Sequence, residues 1–367
     1  MNWNLYKEIL SIDSTSGKER KLAEWLLEHL EAPAKQAMEV GDGTLNLLFT
    51  WGTPKVVFCT HLDTVPPYIA PVFPEDNSPS RDSVRSALSG PSHCLPRPLR
   101  ELVSNGPLPL HLSGGGQALE GEFPPEAICG RGTCDAKGQI FAMYEACKAL
   151  EAKGCTDFGL LLLAGEETGS WGAKAFSKTG FEAPFLIVGE PTENKMVSAA
   201  KGTLSYDLKF EGKAFHSGYP EFGESAIDKF NEFYNKLKAK DFGEDPELGK
   251  TTWNVGLLRS DNPQNILSPE VTCRLYFRTT FVSHEAVKQW MGIESRGGDV
   301  PARYVTLPGF ESAPVAFGSD APHLTGFGHK IICGPGSIRF AHRPDEHILP
   351  QELETAVQQY IKIYQAL

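Results

Sequence analysis

The chain has no apolar run approaching the roughly 20 residues a helix needs to cross a bilayer, so no membrane role is expected. It is short of positive charge: 35 Lys and Arg against 46 Asp and Glu give a formal net charge of −11. That balance argues against nucleic acid as a partner, because phosphate binding needs a basic face. The eight cysteines include no Cys-x-x-Cys pair. Cys59, Cys273 and Cys333 fall in apparent strands and read as reduced, buried thiols of a cytoplasmic protein. The first residues, from Met1 to Glu8, hold neither a basic nor a long apolar segment, so no secretory signal is expected. No Gly-x-Gly-x-x-Gly follows the first apolar strand, which disfavours a nucleotide-binding α/β protein.

What is present fits a globular protein. At 367 residues, 41% hydrophobic and 22% charged, the chain suits two domains. Ser16 and Glu19 form a capping-box pattern ahead of an amphipathic helix running through Leu22, Trp25 and Leu26. Strands follow near Leu45 to Thr50 and Lys55 to Thr60, then a helix over Gly138 to Ala152 and buried-type strands at Phe158 to Ala164 and Phe185 to Val188. Such alternation predicts an α/β fold with a mainly parallel sheet flanked by helices. From Lys201 the texture becomes β-α-β-β-α, through Thr203 to Phe210, Ser225 to Lys238, Thr252 to Leu258, Val271 to Thr279 and Ser283 to Met291. This reads as a smaller inserted α+β sandwich with one solvent-facing sheet. A helix Ala321 to Phe327, a strand Lys330 to Cys333 and a helix Pro350 to Leu367 return to the first pattern. The expected division is therefore residues 1–200 with 308–367, and 201–307.

One stretch fits neither part. Ser78 to Glu120 holds eight Ser, six Pro and five Gly, with no aromatic residue and no lysine. Such a composition buries too little apolar area to offset ordering entropy, so an irregular or disordered insertion is expected, with a gating flap as the functional alternative.

The chemistry gathers at predicted strand ends, where open α/β sheets keep their sites. His61 and Asp63 end the strand Lys55 to Thr60, and alternation points them to the same face. Taken alone they read equally as a polar pair at a strand terminus. Asp135 follows a glycine-rich loop, Gly130 to Gly138, at a helix start, where a carboxylate is favoured as an N-cap too. Glu166 and Glu167 close one buried strand, Glu190 the next, and His342 follows the strand ending at Cys333. Adjacent acids at the mouth of an apolar strand are costly unless a cation compensates them. His61, Asp135, Glu167, Glu190 and His342 thus form a mixed nitrogen and oxygen set suited to zinc or another divalent first-row ion, and one shared carboxylate could bridge two.

In order along the chain, His61-x-Asp63, Gly132-x-x-Asp135, Glu166-Glu167, Gly189-Glu190-Pro191 and Ala341-His342-x-Pro-x-Glu resemble the motifs of the di-zinc amidohydrolases that include acetylornithine deacetylase, succinyl-diaminopimelate desuccinylase, aminoacylase-1 and carboxypeptidase G. The resemblance runs from about Ser11 to the C-terminus, interrupted by Ser78 to Glu120. It implies two zinc ions, cobalt or manganese being possible, bridged by Asp135, with His61 and Glu190 on one and Glu167 and His342 on the other. It makes Asp63 the carboxylate behind the first ion, and Glu166 the general base acting on a metal-bridged water and then on the leaving amine. It also makes the smaller domain a lid through which a homodimer forms. The loop Gly212 to Pro220 would then bring His216 to the neighbouring subunit's site as an oxyanion donor, with Asn265 and Arg278 contacting a substrate carboxylate. Read without the resemblance, His216 and Arg278 are equally an ordinary surface histidine and a strand-end ion-pair partner. The reaction so implied is hydrolysis of the amide of an N-acyl amino acid, as in amino-acid biosynthesis, with a carboxypeptidase or dipeptidase as the alternative and a catalytically impaired metal-binding protein as a further one.

The chain departs from the family pattern in three places. Phe277 and Gly165 stand where an acid is usual, and His61 and Asp135 lie 74 residues apart. Leaving out the 43-residue insertion shortens that interval to a typical 31.

Overall fold

A computed structural model describes residues 1–74, 124 and 126–367; the Ser78 to Glu120 insertion lies outside the described residues. The main sheet has six strands: β1 (Ala34–Val40), β2 (Thr44–Gly52), β3 (Val56–His61), β4 (Asp157–Leu163), β5 (Ala183–Val188) and β9 (Phe327–Ile332), in the order β1-β2-β4-β3-β5-β9. β3 is parallel to both β4 and β5, and β9 is parallel to β5, while β1 and β2 are antiparallel additions at one edge. β3 is buried at every position, because helices cover both faces of the sheet. Its side chains alternate accordingly: Phe58 packs in one core with α1 (Trp3–Ser11), α2 (Arg20–His29), α3 (Lys137–Ala152) and α7 (Pro350–Ala366). Val57 and Cys59 face a second core with Ala173 and Phe176 of α4 (Trp171–Phe176). Each large apolar side chain so buried contributes roughly 1.5–3 kcal/mol, enough to fix β3 in the middle of the sheet and its C-terminal end at the site.

The smaller unit is a three-stranded antiparallel sheet of β6 (Gly202–Glu211), β7 (Thr252–Arg259) and β8 (Glu270–Thr279), ordered β7-β8-β6. Along β8 the residues Val271, Cys273, Leu275, Phe277 and Thr279 are buried, and those between them are not. The buried face packs on Leu237 of α5 (Ala226–Ala239) and Val287 of α6 (His284–Met291). Ser225 caps α5 by accepting the amide of Asp228 at 3.3 Å.

Three local expectations give way. Ser16 and Glu19 form no capping box: α2 begins at Arg20 with no side-chain cap, Glu19 accepts the Gly17 amide at 2.6 Å, and the Ser16 hydroxyl donates to Asp63 at 2.9 Å. The expected helix Ala321 to Phe327 is only a 3₁₀ turn over Ala321–His323; Thr325 and Gly326 are poor helix formers, and Phe327 pairs into the sheet opposite Ala183. Among the strands not anticipated are β1, an edge strand whose first four residues are exposed, and Met196–Ala200, a short strand outside the main sheet. Neither has the apolar run or alternation by which strands are read.

Candidate metal centre and active site

Register brings the chemical groups together. His61 at the end of β3 pairs with Leu163 at the end of β4, and Cys59 pairs with Val188 at the end of β5. The three strands therefore finish side by side, and the chain leaving them delivers His61, Glu166 with Glu167, and Glu190 to one place. Asp135 arrives from the turn before α3, and His342 from the loop after β9.

Asp135 is the hub. Its Oδ1 lies 3.0 Å from His61 Nε2 and its Oδ2 lies 3.2 Å from His342 Nε2; His342 Nε2 is also 2.8 Å from Glu167 Oε1. Donor atoms of His61, Asp135 and Glu190 lie within 4.8 Å of one another, and so do those of Asp135, Glu167 and His342. A third set of the same span joins His61, Glu166 and Glu167. One carboxylate thus offers an oxygen to each of two nitrogen-and-oxygen clusters, a donor chemistry suited to zinc, cobalt or manganese. Nδ1 of His61 is 2.9 Å from the Asp63 carbonyl. A carbonyl can only accept, so the ring proton is fixed at Nδ1 and the Nε2 lone pair is left for a metal.

The charges conflict as they stand. Burial raises Glu166 and Glu190 well above the usual carboxylate range, and the neighbouring acids push both further. Burial opposes a charge on His61, yet its hydrogen bonds to Asp135 and Asp63 outweigh this and raise it well above an ordinary histidine. Hydrogen bonds to Asp135 and Glu167 push His342 up to about 10. Five carboxylates, Asp63, Asp135, Glu166, Glu167 and Glu190, crowd two imidazoles. Divalent cations relieve that imbalance, and the donor set fits them.

Two further acids hold the scaffold. Asp63, fully buried, accepts the Glu166 amide on Oδ1 at 3.0 Å and the Glu167 amide on Oδ2 at 3.2 Å, so it orders the turn carrying both glutamates as well as backing His61. Glu346, one position that the motif reading left without a role, accepts the amides of Gly132, Cys134 and Asp135 at 2.9, 3.2 and 3.3 Å and pairs with buried Arg131 at 2.6 Å. It ties the loop delivering Asp135 to the segment delivering His342. Gly165 also has a structural cause: its φ is +68°, and a Cβ there would sit 1.8 Å from the Trp171 ring. Phe277, the other departure, is a fully buried core residue of β8.

The remaining sequence-predicted residues are not brought into this cluster. His216 and Asn265 are exposed neighbours: the Ser217 amide donates to the Asn265 carbonyl at 2.8 Å, and His216 Nδ1 accepts the Gly218 amide at 3.1 Å. Arg278 lies on the open face of β8, 5.1 Å from the Tyr276 ring. Among the described residues, no hydrogen bond or ion pair joins these three to Asp135 or its partners, and no salt bridge engages Arg278. Cys59, Cys134, Cys147, Cys155, Cys273 and Cys333 form no disulfide, and no helix of the described residues is long and apolar enough to cross a membrane.

Fold and site together define a metal-dependent hydrolase. The chain belongs to peptidase family M20/M25/M40, whose model matches residues 118–366. That match begins downstream of His61 and Asp63, but full-length relatives extend over them. A protein of Aspergillus oryzae named as a probable carboxypeptidase is 28% identical over 412 residues, covering 99% of this chain and 86% of that protein. A tripeptidase from Staphylococcus aureus superposes with a TM-score of 0.69 at 17% identity over 98% of this chain and 96% of that one. An M20 family metallo-carboxypeptidase from Sulfolobus solfataricus gives 0.66 at 15% identity over 99% and 98%. The structural likenesses establish the shared fold.

Proposed function

We propose that the chain is a two-zinc metallopeptidase that releases a residue from a small peptide, as a carboxypeptidase or dipeptidase, in preference to deacylating an N-acyl amino acid. The observation that carries this reading is the division of Asp135 between His61 and His342, with Glu166 beside the two ligand sets but absent from both. His61, Asp135 and Glu190 would hold one ion, and Asp135, Glu167 and His342 the other. Bound there, the ions polarise a scissile carbonyl and favour negative charge on its oxygen.

The protein's own groups supply the rest. Glu166, with its affinity for a proton raised, takes one from the attacking water and returns it to the departing amine nitrogen. Asp63 keeps Glu166 in place through its amide. Arg278, which has no carboxylate partner among the described residues, offers its fork of donors to the free carboxylate of the peptide, and Asn265 adds a polar contact. His216 supports the oxyanion in a neighbouring copy, so the assembly is a homodimer formed by a lid of residues 201–307 on a metal-binding part of residues 1–200 and 308–367. Curated relatives named as probable carboxypeptidases along nearly the whole chain favour peptides over N-acyl amino acids. A cytoplasmic location accords with the free thiols of Cys59, Cys134, Cys147, Cys155, Cys273 and Cys333.

The test is a substrate panel on the full chain loaded with zinc, cobalt or manganese: di- and tripeptides with free or amidated C-termini, beside acetyl- and succinyl-amino acids. Peptides with a free carboxylate should be cleaved and amidated ones spared. Arg278→Ala should reduce kcat/KM for the former by about 10- to 100-fold, the loss expected for a charged hydrogen bond. Preferential hydrolysis of acetyl- or succinyl-amino acids would restore the deacylase reading.

A further inference from the structure

Gln139, in the first turn of α3 and directly after the glycine-rich loop, is fully buried. Its amide nitrogen donates to the Cys134 carbonyl at 3.0 Å and to the Pro335 carbonyl at 2.8 Å, while its Oε1 lies 3.2 Å from the Tyr360 hydroxyl of α7. Carbonyls can only accept, so the amino group faces them and the oxygen faces the hydroxyl. The Tyr360 hydroxyl also lies 3.0 Å from the Cys333 carbonyl, and its one proton is shared between the two acceptors. The side chain thus pairs both of its donors and its acceptor in the interior, where an unpaired amide is costly.

Those bonds hold the backbone that carries the candidate ligands. The carbonyl of Cys134 and the amide of Asp135 belong to one peptide plane. Gln139 donates to the first and Glu346 accepts the second, at 3.3 Å, so the plane is gripped at both edges and the direction of the Asp135 side chain is set with it. On its other side Gln139 grips Pro335, in a segment stitched to the chain just after Glu190. There the Asn194 amide donates to the Gly334 carbonyl at 2.7 Å, the Glu193 amide to the Gly336 carbonyl at 2.8 Å, and the Gly334 amide to Thr192 Oγ1 at 2.9 Å. The approach is close on both flanks. A Cβ at Gly334 would lie 2.2 Å from Gln139 Oε1, and one at Gly189 would lie 3.1 Å from the Gln139 Cβ. The side chain is therefore wedged between the loop that carries Glu190 and the segment that leads to His342.

We propose that Gln139 is a positioning residue for the two-ion centre, fixing the bridging carboxylate of Asp135 against Glu190 and His342 through the peptide plane before it. The inference rests on the two-ion reading above and extends it to a neutral side chain that acts through backbone alone. Because Asp135 serves both ions, loss of the amide weakens both, unlike loss of a partner that backs a single ligand.

Stripping the full-length protein of metal and titrating it with zinc against a chromophoric chelator tests this, with thermal melting of the zinc-free forms beside it. Wild type should bind two ions in two steps. Gln139→Met keeps the length of the side chain but none of its hydrogen bonds, and should weaken both steps by about 10- to 100-fold, the loss usual when a group that orients a metal ligand is removed. Tyr360→Phe takes one hydrogen bond from the same amide and leaves Gln139 holding Cys134 and Pro335. It should lower the melting temperature and leave both steps as they are. Zinc binding by Gln139→Met equal to wild type, one step weakened without the other, or a loss that Tyr360→Phe reproduces would each overturn the role of Gln139. A Gln139→Met chain that does not fold would do so too, assigning the residue to the core. Wild type that binds fewer than two ions would overturn the two-ion reading itself, and this inference with it.

Discussion

Around Asp135, the backbone amides of Gly132, Cys134 and Asp135 all converge on one buried acid, Glu346, and the side chain meets two imidazoles. Around His216, the contacts are a carbonyl of Asn265 to the next residue, an amide from Gly218 and a tilted ring contact with Tyr219, all on an exposed loop. The first region is held by a buried polar network whose members depend on one another, and the second by a few solvent-facing bonds. Buried networks couple chemistry to stability, whereas residues on exposed loops can serve function with little effect on folding. A substitution near Asp135 should therefore disturb both properties, and one near His216 only the reaction.

The sharpest break in that pattern should come from Glu166, which lies in the first region without carrying its structure. Glu166→Gln is expected to lower kcat by about 10²- to 10⁴-fold, the span typical of a general base, with metal content by elemental analysis unchanged. Next in size is Glu346→Ala, which strips three amides and Arg131 of their partner. It should cost about 3–5 kcal/mol of stability in urea unfolding and release metal as well; retention of both would show the network to be dispensable. His216→Ala should lower kcat by about 10²- to 10³-fold, as loss of an oxyanion donor does, while the melting temperature stays put. A fall in melting temperature of similar rank would erase the distinction between the regions.

The smallest effect concerns the pair His323 and Asp299, where the chain passes between the two units. The hydrogen bond from His323 holds the Asp299 carboxyl below its usual range. A lowered acid contributes stability above its unfolded value, near pH 4, and loses it as pH falls through the folded value. Because Asp299 is 37% exposed, screening keeps the contribution to about 1 kcal/mol or less. Asp299→Asn should therefore differ from wild type by that amount at pH 5.5, and the difference should shrink as pH falls through the lowered folded value, measured by urea unfolding.

Much of the His and carboxylate cluster was legible because parallel strands end in register: a continuous apolar run marks the buried strand, and the polar residue just beyond it must emerge at the sheet's carboxyl edge. His61, Glu166, Glu167 and Glu190 obey that rule. His342, ten residues past the end of β9, was visible only through its motif. Ser16, by contrast, misled. Its spacing to Glu19 matches a helix cap, but Asp63 offers its hydroxyl a buried carboxylate, and the tertiary partner prevails over the local one. The proposed preference for peptides over N-acyl amino acids was not legible, because both present the same amide to the same donors.

That displaced serine has a practical consequence. Ser16 is joined to Thr64 by its amide as well as to Asp63 by its hydroxyl, and the Thr64 amide returns to Ser14 at 3.0 Å. Asp63 in turn fixes the amides of Glu166 and Glu167. A truncation that removes residues through Ser16 would take a hydrogen-bond donor away from the acid that positions the proposed base, so an expression variant trimmed there should be checked for metal and turnover before its solubility is read as success.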